Sequence, residues 1–212
     1  MKREQFEIAG RTVTLQLPAD PERLLNNAAT AGDDSDPYWG ILWDAAIDTA
    51  RCVLRSDWPQ PQRVLEIGCG CGLVGVAGLL AGLDVTFSDL VPAAVELAVS
   101  NAAINGFAAA TGYPIDWRDE ATETFDTLLA SDVLYDASHH DALLRFAGEA
   151  LKADGCLWIG DPGRQQAEAF IRLAEQQGWS VEIRDRERLL LSQPVLARFQ
   201  LLICRKPIAE FG

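Results

Sequence analysis

The sequence predicts an α/β protein built on a Rossmann-like, doubly wound sheet of seven strands that closes with an antiparallel hairpin. Within residues 64–75, a short apolar run leads through a glycine-rich loop into an apolar helical pattern. Strand-like runs and helical patterns then alternate along the chain, which is typical of a sheet covered by crossover helices. The last two apolar runs, residues 180–184 and 195–205, have no helical pattern between them, which favours the antiparallel closing pair.

Residues 1–37 predict an extension ahead of the main domain, which we place at residues 38–212. Apolar and polar residues alternate over residues 6–8 and 12–17, on either side of Ala9-Gly10-Arg11, and this pattern indicates a small β-hairpin. The polar segment that follows ends in the acidic run Asp33-Asp34-Ser35-Asp36 and predicts a solvated loop or flap. Helical spacing of apolar residues between Ile41 and Leu54 then predicts the first helix.

Composition excludes several classes of protein. The 212 residues suffice for one domain with a sizeable core. A net charge of −13 and the lack of any basic run argue against a nucleic-acid backbone as the main partner. The five cysteines form no CxxC pair or Cys/His cluster, so we expect no metal site. Without an apolar leader or a membrane-length apolar run, we expect a soluble, reduced, cytoplasmic protein. The oligomeric state does not follow from the sequence.

The glycine loop allows two interpretations. Gly70-x-Gly72-x-x-Gly75 matches the dinucleotide fingerprint, but this short pattern is weak evidence alone. The longer frame is Glu66-x-Gly68-x-Gly70-x-Gly72, with an acid at the end of the strand. A carboxylate there suits a ligand that carries an ammonium and a sulfonium group, whereas it would repel a pyrophosphate. The longer frame resembles motif I of the class I methyltransferases, which bind S-adenosylmethionine, and this resemblance favours S-adenosylmethionine over a dinucleotide.

Acidic residues follow two further predicted strands. Asp89 ends the strand after the first helix of the sheet, and Asp132 comes directly after the apolar run of residues 125–130. Because the carboxyl ends of such strands meet at the switch point of the sheet, we expect the glycine loop and both acids to share one crevice. Asp89 is placed to accept hydrogen bonds from the ribose hydroxyls of a nucleoside. The alternative is that it caps the helix that starts near Pro92.

Two expectations concern less informative residues. Ser138 and Asp141 resemble a capping box for a helix that ends near Gly155, followed by a strand over residues 156–160. His139 and His140 would then lie in an exposed first turn, solvated and not catalytic. Trp39 and Trp43 stand at the start of the first helix, where tryptophans are more often core residues than cofactor contacts.

Together these motifs resemble the class I S-adenosylmethionine-dependent methyltransferases, and within them the protein-lysine branch called methyltransferase family 16. Residues 66–72 resemble motif I of the class, which enzymes of every substrate class share. Asp132-x-x-Tyr135 matches the signature of the branch and follows the expected strand. Residues 37–43 resemble the aromatic pre-motif, and Asp116-Trp117 the pair beside adenine. Residues 160–164 look closest to members that methylate lysines of the electron-transfer flavoprotein β subunit, and to bacterial relatives labelled as nicotinamide methylases.

The resemblance implies an S-adenosylmethionine-dependent N-methyltransferase that acts on a lysine side chain of a protein substrate, with a small nicotinamide-like amine as the alternative acceptor. It implies that Asp132 orients the acceptor amine or also helps to remove its proton, and that Tyr135 packs or hydrogen-bonds beside it. The two side chains lie on one face if the turn after the strand is helical. It also implies a cofactor site formed by Trp43, Glu66, Gly68, Gly70, Gly72, Asp89, Trp117 and Ser131. An NAD-dependent oxidoreductase and a non-catalytic nucleoside-binding module are the alternatives from other classes.

Overall fold

The computed structural model describes residues 1–20 and 37–206 as an N-terminal hairpin and one large mixed sheet. The hairpin comprises β1 (Lys2–Ile8) and β2 (Arg11–Leu17). The strands of the large sheet are β3 (Arg63–Ile67), β4 (Asp84–Asp89), β5 (Thr111–Pro114), β6 (Phe125–Ser131), β7 (Leu151–Asp161), β8 (Ser180–Arg184), β9 (Leu190–Leu191) and β10 (Gln200–Arg205). The α-helices are α1 (Asp44–Leu54), α2 (Leu73–Leu80), α3 (Pro92–Ile104), α4 (His140–Ala150) and α5 (Gln165–Gln176).

The sheet runs in the order β5-β4-β3-β6-β7-β10-β8-β9. Strands β3 to β7 pair in parallel, whereas β10 pairs antiparallel with both β7 and β8. The predicted doubly wound sheet with an antiparallel closing pair and an N-terminal hairpin is confirmed. The two-residue strand β9 is an additional edge strand that the sequence pattern did not predict. None of the helices in the described parts of the chain has the length and apolar character needed to span a bilayer.

Alternate residues of the central strands face two separate apolar cores. Leu129, Trp158 and Ile203 belong to the core under α1, α2 and α3, while their neighbours Leu128 and Leu157 belong to the core under α4 and α5. This arrangement follows from the two-residue period of a strand, since both faces of a sheet with helices on either side must be apolar. The strands are consequently buried along nearly their whole length, and polar groups can reach solvent only at the strand ends.

The N-terminal hairpin is fastened to α3 by two asparagines one helical turn apart. The side chain of Asn105 accepts from the amide of Thr14 at 2.9 Å and donates to its carbonyl at 2.7 Å. Asn101 pairs in the same way with Gln16, at 2.7 and 3.1 Å, and donates further to the carbonyl of Cys71 at 2.8 Å. Asn101 therefore connects the hairpin to the glycine loop.

The start of β7 corrects the sequence-based boundary. The helix predicted to reach Gly155 ends at Ala150, and β7 begins at Leu151, which pairs with Phe125 before the register shifts. The predicted capping box is wrong as well. The carboxylate of Asp136 accepts from the amide of Ser138 at 2.8 Å and caps a short 3-10 helix, Ala137–His139, that precedes α4.

The predicted solvated environment is wrong for His140. Its side chain is buried, with the ring edge-on to Phe170 at a centroid distance of 5.4 Å. Among the described residues, its Nε2 has no hydrogen-bond partner, and burial lowers the pKa of His140 below its usual value. His139 is half-buried, and its ring lies 6.4 Å from that of Trp117. The added 3-10 turn rotates the pair, so that only the first histidine stays near the surface.

We expect stability to depend on pH through His140. The pKa of the histidine is lower in the folded than in the unfolded chain, so the unfolded chain binds more protons as the pH falls through about 6.5. The free energy of unfolding should therefore fall from pH 7.5 to pH 5, and His140→Gln should remove that part of the slope. Urea denaturation across this range measures it, with His139→Gln as the control. Equal slopes for the wild type and His140→Gln would contradict the assignment.

We expect Asn101→Ala to destabilise the fold more than Asn105→Ala. Asn101 is fully buried, so its removal leaves the backbone groups of Gln16 and Cys71 without partners, at a cost of about 1–3 kcal/mol. Asn105 is only half-buried, and water can replace its bonds to Thr14. Chemical denaturation of the two variants makes the comparison. An equal loss of unfolding free energy in the two variants would show that burial of the asparagine side chain does not determine the cost of its removal.

Candidate functional site

A cleft of about 370 Å³ lies at the carboxyl edge of β3, β4 and β6. Pockets that bind cofactors and other small molecules are typically about 300–1,000 Å³. The structure brings to this cleft every predicted site residue except Gly72, namely Trp43, Glu66, Gly68, Gly70, Asp89, Trp117, Ser131, Asp132 and Tyr135. Residues separated by more than ninety positions in sequence thus meet at the switch point of the sheet, because strand β3 lies between β4 and β6.

The loop after β3 exposes bare backbone to the cleft. Gly68 and Gly70 have φ angles of +62° and +50°, which side chains rarely tolerate. A Cβ on Gly68 would come within 3.1 Å of Val133, and one on Gly70 within 3.1 Å of the Trp39 carbonyl. These two glycines leave their peptide groups accessible to a ligand.

The other two glycines serve the packing of α2. A Cβ on Gly72 would lie 2.7 Å from the Cβ of Ala98 in α3, and one on Gly75 would lie 2.4 Å from Oε2 of Glu66. Gly72 lies outside the set of described residues that line the cleft, so its contact with a cofactor stays a prediction. The close approach of α3 requires glycine at position 72, and the close approach of β3 requires glycine at position 75.

Glu66 is a buried carboxyl at the base of the cleft. Its Oε2 accepts a hydrogen bond from the amide of Gly75 at 2.9 Å. Burial is the main cause that raises the pKa of Glu66 to about 8; the charge of Asp89 adds to this, and the Gly75 amide opposes it. The carboxyl is therefore mostly neutral at pH 7, and a cationic group bound nearby would favour its ionised form. A site with this property suits a positively charged ligand.

Asp89 ties the glycine loop to the end of β4. Its two carboxylate oxygens accept from the amides of Gly70 at 2.9 Å and Val91 at 3.0 Å. The N-cap of α3 is Val91, so Asp89 lies ahead of the helix and not at the capping position. Since a carboxylate accepts up to about four hydrogen bonds, these two bonds are compatible with the predicted ribose contact.

Aromatic side chains form the outer walls of the cleft. Tyr38 and Trp43 are 50% and 38% exposed, and their ring centroids are 6.2 Å apart. Trp39 is half-buried and packs against the core. Both tryptophans line the cleft, and Trp39 also packs against the core. On the opposite side, Trp117 lies beside Gly68, in the region predicted for the adenine base.

Asp132 adopts a conformation that was not predicted. Its φ is +60°, in the left-handed region where aspartate is one of the few tolerated residues. Its amide donates to the carbonyl of Gly160 at 2.8 Å, which joins it to the end of β7. Residues 132–136 form no helical turn, so the condition under which three-residue spacing would place Asp132 and Tyr135 on one face is not met. Both nevertheless line the cleft, with Tyr135 40% exposed.

Sequence reasoning assigned no role to the residues that hold Asp132. Arg164 donates from Nε to Oδ1 of Asp132 at 2.6 Å. Ser131 lies 3.1 Å from Oγ1 of Thr49 on α1, and a Cβ on Gly160 would overlap that same oxygen at 1.7 Å. Position at a strand end was the available signal for Arg164, but a pairing across thirty-two residues cannot be read from the sequence.

Comparison with known sequences identifies relatives that align with more than half of the chain. A family model described as Lysine methyltransferase matches residues 31–177. The electron transfer flavoprotein beta subunit lysine methyltransferase of Danio rerio is 32% identical over 136 residues, which cover 63% of this chain and 53% of that protein. The Xenopus laevis protein of the same name is 33% identical over 141 residues, covering 62% and 54%. The chain thus spans about half the length of these curated relatives.

Solved structures share the fold. A TehB-like SAM-dependent methyltransferase from Corynebacterium glutamicum superposes with a TM-score of 0.62 at 24% identity, covering 89% of this chain and 99% of that one. The glycopeptide N-methyltransferase MtfA, in complex with S-adenosylmethionine, gives a TM-score of 0.60 at 14% identity, covering 77% and 95%. Because the family model spans more than half of the chain, the protein belongs to the lysine methyltransferase family.

Proposed function

We propose that this protein is an S-adenosylmethionine-dependent N-methyltransferase that methylates a lysine side chain of a protein substrate. The observation that carries the proposal is the meeting of the bare glycine loop, Asp89 and Asp132 in one cleft. The donor residues lie at the ends of β3 and β4, and the acceptor residues follow β6. This arrangement supports an alignment of donor and acceptor by the fold itself.

The donor side fits S-adenosylmethionine, which when bound supplies a methyl group activated by a sulfonium. We assign Asp89 to the ribose, Trp117 to the adenine and the peptide groups of Gly68 and Gly70 to the amino-acid end. Trp43, Glu66 and Ser131 complete the assigned site, and Gly72 supports it from behind. The raised pKa of buried Glu66 supports a cationic ligand, because a positive charge would offset the cost of ionising this carboxyl.

The acceptor side consists of Asp132 and Tyr135. A lysine amine loses a proton to solvent, and the neutral nitrogen then forms a bond to the methyl carbon as the sulfur–carbon bond breaks. Most of the acceleration would come from holding the nitrogen in line with that bond and excluding water. Asp132 can accept a hydrogen bond from the amine, and Tyr135 can close the cleft beside it. The exposure of Tyr38, Trp43 and Tyr135 supports an acceptor that reaches in from a larger molecule.

The names of the relatives point to a particular protein as the methyl acceptor. The vertebrate proteins described above are named for methylation of lysine in the electron transfer flavoprotein β subunit. We propose the same subunit, from the organism that encodes this chain, as the first acceptor to test. A small nicotinamide-like amine is the second candidate acceptor, because a cleft of about 370 Å³ is in the size range of sites that bind small molecules.

Three further parts of the proposal concern the cellular compartment, the exclusion of nucleic acid and the organisation of the chain. The five cysteines are all free and buried, which supports a reducing compartment such as the cytoplasm. The net charge of −13 disfavours nucleic acid as the substrate. We treat residues 1–37 as an extension that supports the methyltransferase domain of residues 38–212, given the link from the hairpin through Asn101 to Cys71. The acidic run at residues 33–36 lies outside the described residues.

We expect Asp89→Asn to weaken S-adenosylmethionine binding by about 10- to 100-fold, the equivalent of a lost charge-assisted hydrogen bond. The substitution keeps the shape of the side chain but removes one of the two oxygens that accept from the amides of Gly70 and Val91, so the melting temperature should fall as well. Calorimetric titration measures the affinity, and Asp84→Asn, at the exposed start of the same strand, is the matched control. Unchanged affinity with a lower melting temperature would make Asp89 a structural residue only.

We expect label from methyl-labelled S-adenosylmethionine to appear on lysine of a protein. The purified electron transfer flavoprotein β subunit and a total cell extract are incubated separately, and labelled proteins are mapped by peptide mass spectrometry. Asp132→Asn should abolish labelling while S-adenosylmethionine still binds, because the contact of Asp132 is with the acceptor. Asp141→Asn, exposed on α4, should label normally. Label found only in a small molecule would overturn the lysine assignment and support the second candidate.

A further inference from the structure

The carboxylate of Asp132 is paired within the protein. Nε of Arg164 donates to its Oδ1 at 2.6 Å. The side chain of Asp132 is 6% exposed and that of Arg164 31% exposed, so the pair is screened only partly by water. Asp132 lines the cleft, whereas Arg164 lies outside the described residues of the lining, at the start of α5. The guanidinium therefore contacts Asp132 from a residue that is not part of the cleft lining.

The turn that carries Arg164 is fixed by a buried carboxylate. Oδ1 of Asp161 accepts from the amides of Gly163 at 2.7 Å and Arg164 at 2.8 Å, and from the side chain of Gln200 at 3.2 Å. Gly163 has a φ of +88°, and a Cβ there would lie 2.4 Å from the amide nitrogen of Arg198. These contacts hold the turn against the segment before β10. The position of the guanidinium is consequently set by the backbone.

A carboxylate alone would be a poor neighbour for the nucleophile. A free lysine has a pKa of about 10.4, and only its neutral form carries the lone pair that attacks the methyl group. An isolated negative charge within about 4–6 Å stabilises the ammonium and raises the pKa of the amine further. Asp132 without a partner would thus attract the lysine and keep it unreactive.

We propose that Arg164 is a positioning residue that neutralises Asp132 and so favours the uncharged form of the acceptor amine. The proposal rests on the lysine methylation proposed above. The paired carboxylate still accepts a hydrogen bond from the amine, while the guanidinium cancels the charge that would hold a proton on it. The amine proton leaves to solvent before the nitrogen–carbon bond forms. The pair therefore orients the nucleophile without making it more basic.

Other charged and titratable groups surround this pair and contribute to any pH profile. Asp161 and Tyr135 both interact electrostatically with Arg164, and Arg198 follows on the segment before β10. Tyr38 also faces the site. Other charged or titratable residues line the same cleft, namely Glu66, Asp89, Asp116, Arg118 and His139. All of these remain when Arg164 alone is changed, so a difference between profiles isolates its charge.

The test compares pH profiles of kcat, which report the protonation of groups in the enzyme–substrate complex, between pH 6.5 and 10 for the wild type, Arg164→Gln and Arg164→Lys. The acceptor is the protein purified from the labelling experiment. In Arg164→Gln the rising limb should move up by about one pH unit. Activity should then fall about tenfold at pH 7, and the deficit should narrow as the pH rises. Arg164→Lys retains the positive charge, so the rising part of its pH profile should lie at the same pH as in the wild type. Arg172→Gln, exposed on the same helix, is the matched control.

Each outcome decides the proposal. A loss in Arg164→Gln that is equal at every pH, or an unshifted limb, would overturn it and leave Arg164 with a structural role. S-adenosylmethionine affinity and melting temperature are measured on the same variants. The affinity should match the wild type, whereas the melting temperature of Arg164→Gln should fall because Asp132 loses its charged partner. If the wild type labels no lysine in any protein, the proposed function fails and this inference fails with it. If lysine is labelled and the limb does not move, only the inference fails.

Discussion

The hydrogen bond from the amide of Gly70 to the carboxylate of Asp89 is the interaction on which the cleft depends. It joins the loop after β3 to the end of β4, so two strands fix the floor of one pocket. The loop can approach this closely only because Gly68 and Gly70 carry no side chains and accept positive φ angles. On the far side, Gly72 and Gly75 let α2 settle against Ala98 and Glu66. One short glycine-rich segment thus forms the floor of the pocket and also allows α2 to pack in the core.

Buried acids mark the cleft, and backbone amides hold most of them in place. Glu66 receives the Gly75 amide, Asp89 the amides of Gly70 and Val91, and Asp161 those of Gly163 and Arg164. Burial raises the pKa of both Glu66 and Asp161, and Oδ2 of Asp161 is without a hydrogen-bond partner among the described residues. Such carboxyls are costly to a fold, which favours a role beyond stability for Glu66, since Glu66 lines the cleft.

The part of the fold that local patterns determine could be predicted from the sequence. The strand, glycine loop and helix at residues 63–80 are encoded by neighbouring residues, and the order of strands follows from their alternation with helices. The errors arose where distant contacts decide. The start of β7 at Leu151 depends on its pairing with Phe125, and the burial of His140 depends on Phe170. No periodicity in the sequence records either contact.

The same distinction explains why the acceptor side was only half predicted. Asp132 and Tyr135 follow a strand and belong to a sequence signature, so their presence in the cleft could be expected. The left-handed backbone of Asp132 is imposed from β7, through the Gly160 carbonyl and the Arg164 side chain. Aspartate meets both demands, since it tolerates a positive φ better than most residues and supplies the charge for Arg164. The residue type at this position is therefore constrained by the backbone as well as by chemistry, and both constraints come from residues that lie beyond it in the sequence, one on β7 and one at the start of α5.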